Sequence, residues 1–161
     1  GCIGLTIARH CPQSYVFLFE KSEQALPYLN RNLSALGLTN ARVIRYDIEE
    51  GFAGLSGVPA ADLLLSNPPY IPSGELPFLQ KEVQREPAMA LDGGADGLRF
   101  YRSIADLWLP FLHDGAFAAV ETAEEQPPAV AQIFSSVLST TSIYADAYGV
   151  DRFVCGWKGE V

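Results

Sequence analysis

With 161 residues, 48% of them hydrophobic, the chain is long enough for one globular domain with a core, and its aromatic and branched aliphatic content excludes a disordered segment. Eleven Lys and Arg against nineteen Asp and Glu leave a net charge of −8, which argues against a broad phosphate-binding surface and so against direct nucleic-acid binding. Cys2, Cys11 and Cys155 are odd in number and lack Cys-x-x-Cys spacing, which points to reduced thiols in a cytosolic protein, with no metal site and no disulfide framework; no stretch has the form of a membrane span or a signal peptide.

The chain starts at Gly1 without an initiator Met and reads at once as a helix, Cys2-Ile3-Gly4-Leu5-Thr6-Ile7-Ala8, broken at Cys11-Pro12. A domain of this kind would begin with a strand, so the pattern is that of a fragment cut inside a motif. Tyr15-Val16-Phe17-Leu18-Phe19 is an apolar strand ending at Glu20. Ser22 suits the cap of a helix running to about residue 36 and stopped by Gly37, with Pro27 forcing a kink or a late start. Arg42-Val43-Ile44-Arg45-Tyr46 is the next strand, closed by Asp47, and residues 49–59 form a loop or short turn.

Ala61-Asp62-Leu63-Leu64-Leu65 reads as a buried parallel strand. Residues 72–97 are the least regular, with room for a short helix at 76–84. An amphipathic helix is expected over 97–112, with Leu98, Tyr101, Ile104, Ala105 and Trp108 at helical spacing. A strand over 115–121 and a helix over 129–138 follow. Residues 142–147 and 152–157, parted by Gly149-Val150-Asp151, read as an antiparallel pair. Strand–helix alternation with a closing hairpin implies one α/β domain over residues 1–161, a doubly wound sheet with an antiparallel C-terminal edge.

In such sheets ligands bind beyond the carboxyl ends of the strands. Ser66-Asn67-Pro68-Pro69-Tyr70 leaves the third strand there. Two successive prolines give a stiff, extended loop with free carbonyls. Asn67 adds an amide oxygen and Tyr70 a flat ring, so the loop can accept the N–H bonds of a planar amide or amine while stacking on its face. By itself the tetrapeptide also suits a tight turn without chemistry. Glu20 and Asp47 lie at two other strand ends: the first could accept both hydroxyls of a ribose, the second an adenine amino group, with Ile48 against the ring. Each is individually as well explained as a solvated loop residue or helix cap. Gly1 would let a ligand approach the N-terminus of the first helix. His10 and His113 fall by helix ends and suit structural or solvated roles.

Asn-Pro-Pro-Tyr resembles the motif of S-adenosylmethionine-dependent methyltransferases that modify planar exocyclic nitrogens, either glutamine amides or the amino group of adenine. The stretch Glu86-Pro87-Ala88-Met89-Ala90-Leu91-Asp92-Gly93-Gly94-Ala95-Asp96-Gly97-Leu98, then Tyr101-Arg102, narrows the resemblance to the release-factor glutamine methyltransferases, the HemK or PrmC family. Gly1-Cys2-Ile3-Gly4 resembles the end of that family's Gly-rich cofactor loop, Asn30 and Asn32 before Leu36-Gly37-Leu38 its second helix, and Asp151-Arg152-Phe153-Val154 its closing strand.

The resemblance implies a Rossmann-like class I methyltransferase sheet whose first strand precedes this chain; the strands flanking that position would expose edges. It implies S-adenosylmethionine as cofactor and a peptide-chain release factor as protein substrate, methylated on the glutamine of a Gly-Gly-Gln loop. The implied catalytic set is Asn67, Pro68, Pro69 and Tyr70; the implied cofactor set is Gly1, Glu20, Asp47, Ile48 and Asn67. The Asn67 oxygen and the Pro68 carbonyl would accept the two amide N–H bonds, and Tyr70 would pack on the amide plane. Glu86 could hydrogen-bond within the wall of the site or cap a turn. The family's N-terminal helical domain is absent from the chain, and Ala123 stands where the family pattern has a glycine, which matters if φ is positive there. Rival readings are an adenine-N6 or ribosomal-RNA methyltransferase using the same loop, and a non-catalytic homologue that binds a protein.

Overall fold

The computed structural model describes residues 1–159, and they fall into two compact units: Gly1–Glu50, and a second that begins at Gly51. Each has its own sheet.

The first unit runs α1 (Cys2–His10), β1 (Val16–Glu20), α2 (Leu26–Ala35) and β2 (Ala41–Arg45). β1 and β2 pair in parallel, Leu18 opposite Val43, as a strand–helix–strand connection requires. Buried Leu5, Leu18 and Leu29, one each from α1, β1 and α2, form the core, with Val16, Leu33, Leu38, Ala41 and Val43 packed against them. Ser22 does not cap α2 itself. It accepts Ala25 N–H at 3.2 Å in a preceding turn, and the helix begins late at Leu26 with Pro27 in its first turn, where proline's missing N–H has no partner to lose. Gly37, at φ 62°, ends α2: its N–H bonds Ser34 O at 3.0 Å and Leu38 N–H reaches Leu33 O at 3.4 Å. That paired closure needs a left-handed residue, which glycine adopts without penalty.

The second unit carries β3 (Leu63–Ser66), α3 (Arg99–Leu107), β4 (Phe117–Glu121), α4 (Pro127–Phe134), β5 (Thr140–Ala145) and β6 (Asp151–Trp157). Its sheet has the order β3-β4-β6-β5, with β3 and β4 parallel and β4, β6 and β5 antiparallel. Tyr101, Ile104, Leu109, Val120, Val130, Phe134 and Val154 lie within 2% of full burial and make its core.

The α/β class, the parallel pairing and the antiparallel hairpin thus match the sequence reading, with the pairing spread over two sheets. Among the described residues β1 pairs only with β2, and β3 only with β4. This corrects the expectation of a buried third strand: no residue of β3 is buried, and Leu63 is 43% exposed, because a strand with one neighbour keeps an open edge. The helix expected over 76–84 is replaced by separate 3-10 turns at Leu76–Phe78 and Val83–Arg85, and a third follows at Ala88–Ala90. Pro77 and Pro87 interrupt any longer ladder. The helix expected over 97–112 is shorter: Gly97 is left-handed at φ 73°, α3 starts at Arg99, and a separate 3-10 turn at Leu109–Phe111 follows around Pro110.

Candidate active site

In the first unit, Glu20 is the last residue of β1, and its Oε1 accepts Ser22 N–H at 2.8 Å. Its carbonyl accepts Tyr46 N–H at 3.1 Å, which continues the pairing just past the strand ends. The carboxylate is half-buried, with lone pairs in excess of its one backbone bond. Gly1 caps α1 without a side chain, and a Cβ there would lie 2.1 Å from Leu29 Cδ1, so the start of α1 packs closely on Leu29 of α2. Gly1 and Glu20 line one cleft of ≈ 610 Å³, together with Tyr28 and Asn32 of α2.

Asp47 and Ile48 do not line that cleft. They follow β2, the strand beside β1, where Asp47 Oδ1 accepts Glu49 N–H at 3.1 Å and Oδ2 pairs with Lys21 Nζ at 2.5 Å. Burial, then the charges of Glu50 and Asp47, raise the Tyr46 hydroxyl pKa. Glu20 keeps acceptor capacity that a diol could use, and Gly1 and Cys2 at the start of α1 line the same cleft.

In the second unit, Asn67 directly follows β3 and is exposed, and among the described residues its side chain makes no hydrogen bond. Pro68 is buried, while Pro69 and Tyr70 are half-buried. The loop is braced from behind. Ile71 N–H donates to Leu91 O at 3.0 Å and Gly93 N–H to Ile71 O at 2.8 Å, a parallel bridge between Ile71 and Asp92. A Cβ on Gly93 would meet the Tyr70 backbone at 2.8 Å, and one on Gly97 would sit 2.3 Å from Tyr70 O. The Gly-Gly-x-Asp-Gly segment is therefore the wall on which Tyr70 rests.

The wall has its own ties. Asp92 Oδ1 accepts the Ser73 hydroxyl at 2.7 Å and Gly94 N–H at 2.9 Å, and these two bonds hold its carboxyl below the usual range. Asp96 takes both arms of Arg102, at 3.1 and 2.5 Å, and Leu98 N–H at 3.1 Å; its pKa falls to about 2, mainly through the Arg102 bonds. Tyr101 is fully buried and donates its hydroxyl to Glu121 O at 2.8 Å. Burial first, then Tyr70 and Glu121, push that hydroxyl far above its ordinary value.

Glu86 is exposed and makes no side-chain hydrogen bond among the described residues, so it takes no part in this wall. Ala123 is accommodated, because no non-glycine residue described has positive φ. Sequence reasoning missed Gln126, whose Nε2 donates to Tyr70 O at 2.9 Å across a separation of 56 residues. Of the Gly-Gly pair, Gly94 has positive φ, at 89°, whereas Gly93 answers to close backbone approach.

The fold is that of the class I S-adenosylmethionine-dependent methyltransferases. The chain superposes on TrmN from Thermus thermophilus with a TM-score of 0.63 at 21% identity, over 98% of this chain and 41% of that one. It also superposes on the release-factor-specific protein-(glutamine-N5) methyltransferase from Alicyclobacillus acidocaldarius, with a TM-score of 0.51 at 21% identity, over 99% and 92% of the two chains. In sequence the chain is similar over nearly all its length to release factor glutamine methyltransferases. It is 38% identical over 161 residues to that of Geobacter sulfurreducens, which covers 99% of this chain and 55% of the relative. The chain thus spans about half the length of the curated relatives it matches. No family model matches it. No described helix is long and apolar enough to cross a membrane.

Proposed function

We propose that residues 1–161 belong to the catalytic domain of a cytoplasmic enzyme that methylates the side-chain amide nitrogen of a glutamine, in the Gly-Gly-Gln loop of a peptide-chain release factor. The observation that carries this reading is the Asn67 amide, exposed and without a hydrogen bond among the described residues, at the head of a loop whose Tyr70 is held by Gln126. The similarity to release factor glutamine methyltransferases gives the substrate class. The net charge of −8 disfavours a nucleic-acid substrate.

An amide nitrogen is a poor nucleophile because its lone pair is delocalised into the carbonyl. The Asn67 oxygen and the Pro68 carbonyl accept its two N–H bonds, which orients the nitrogen and helps localise its lone pair. Tyr70 lies against the amide plane. When bound, S-adenosylmethionine supplies the methyl group on a sulfonium that departs as a neutral thioether. Glu20 would take the ribose hydroxyls, Asp47 with Ile48 would hold the adenine, and Gly1 would admit the cofactor to the start of α1. The amide nitrogen forms the new C–N bond and loses one proton to solvent. Catalysis of this kind rests on orientation and charge complementarity, with no side chain needed as general base before transfer.

Mass spectrometry of a release factor incubated with S-adenosylmethionine and the natural full-length protein tests this. A single methyl on the Gly-Gly-Gln glutamine is expected. An unmodified release factor, with methyl transfer to RNA or DNA in its place, would overturn it.

A further inference from the structure

Gln126 lies in the β4–α4 connection and is half-buried, directly before the two prolines that open α4. Its Oε1 accepts Ala123 N–H at 3.1 Å, while its Nε2 donates to Tyr70 O at 2.9 Å and, more weakly, to Gly97 O at 3.4 Å. An N–H on one side and two carbonyls on the other leave only one orientation of the amide that satisfies every partner. Three segments therefore meet on one side chain: the Asn-Pro-Pro-Tyr loop, the glycine wall and the connection out of β4.

We infer that Gln126 is a positioning residue for the substrate loop, its amide clamping the Tyr70 and Gly97 carbonyls together so that Asn67 and the Pro68 carbonyl present a fixed pair of acceptors. The inference rests on the reading of that loop as the site of amide methylation. Tyr70 has its backbone pressed on Gly93 and Gly97, with no room for a Cβ on either. The carbonyl of Tyr70 is the last point of the Pro-Pro-Tyr segment that a side chain outside the loop grips. The prolines upstream are stiff, so an error at Tyr70 passes to Pro68 and Asn67 with little damping. Asparagine is one methylene too short to reach from Ala123 to Tyr70. Glutamate keeps the bond to Ala123 N–H and puts a carboxylate oxygen against two carbonyls.

The test uses the natural full-length protein carrying Gln126→Glu or Gln126→Met. Glutamate keeps the acceptor and loses the donor, and methionine keeps the volume and loses both. For each variant kcat is expected to fall about tenfold to a hundredfold, the scale on which a displaced reacting group slows a step. The KM for S-adenosylmethionine should stay within about twofold of wild type, a split that general destabilisation would not give. Hydrogen exchange on the same samples should quicken at the Ile71 and Gly93 amides, which Gln126 does not touch, and remain unchanged in β1 and β2. A Gln126→Glu protein with wild-type kcat, or unchanged exchange at Ile71 and Gly93 in both variants, would overturn the inference. A wild-type protein that methylates no glutamine would sink the reading of function alone, since the exchange result still decides whether Gln126 holds the loop.

Discussion

Asn67 is one residue beyond β3, exposed and without a side-chain hydrogen bond among the described residues, while Pro68 beside it is buried and Tyr70 and Ile71 are tied to the segments behind. A side chain left free in a braced loop keeps its hydrogen-bonding capacity for a ligand. Asn67→Ala should lower methyl transfer at least about a hundredfold, the scale for losing one preorganised hydrogen-bonding group, and weaken cofactor affinity far less. Calorimetric titration with S-adenosylmethionine beside a turnover assay checks this, and unchanged turnover would remove Asn67 from the chemistry. Gly97 tests the wall behind the loop. It combines φ 73° with a Cβ position 2.3 Å from Tyr70 O, so Gly97→Ala meets both backbone strain and a clash with backbone that cannot swing away. A loss of about 1–3 kcal/mol in urea unfolding is expected. Wild-type stability in this variant would mean that the loop and wall can part freely.

At the scale of elements, Asn40 shows how the first unit is tied. From the turn before β2 its Nδ2 reaches Ala8 O at 2.9 Å, Ser14 O at 3.0 Å and Cys11 O at 3.4 Å. These carbonyls lie in the last turn of α1 and the loop after it, where helix geometry leaves acceptors unsatisfied. Asn40→Ala should cost about 1–3 kcal/mol, the penalty for acceptors that lose their donor away from water. Denaturant melts would show it, and a change under a few tenths would mean that solvent already serves those carbonyls. The elements themselves were largely legible in the sequence. Apolar runs marked β1, β2 and β4, Gly37 marked the end of α2, and Gly149-Val150-Asp151 marked the closing hairpin. What went astray was local. Residues 76–84 contain Pro77, and two short 3-10 turns, Leu76–Phe78 and Val83–Arg85, take the place of the expected helix. α4 begins at Pro127, ahead of the expected residue 129, since two prolines can open a helix although they cannot continue one.

For the molecule as a whole, the net charge of −8 and the depressed carboxyls of Asp92 and Asp96 bear on acid stability. Asp96 has a folded pKa of about 2, below its unfolded value. Its contribution is therefore fully present above about pH 4 and is lost as the pH falls through 2. The pair with Arg102 is half exposed, so solvent screens much of it. Asp96→Asn should flatten the acid limb of stability between about pH 4 and pH 2, measured as the urea midpoint against pH, while a limb as steep as wild type would assign the acid sensitivity elsewhere. Taken alone, the amino-acid sequence determined the α/β class, the strand–helix order and the loop that bears Asn67, because these follow from periodicity, prolines and glycines within a few residues of one another. Only the tertiary structure decided that Gly93 and Gly97 serve as a wall for Tyr70, and that Gln126 holds loop and wall together. Those contacts link residues dozens of positions apart, and no local pattern encodes which carbonyl a distant amide will reach.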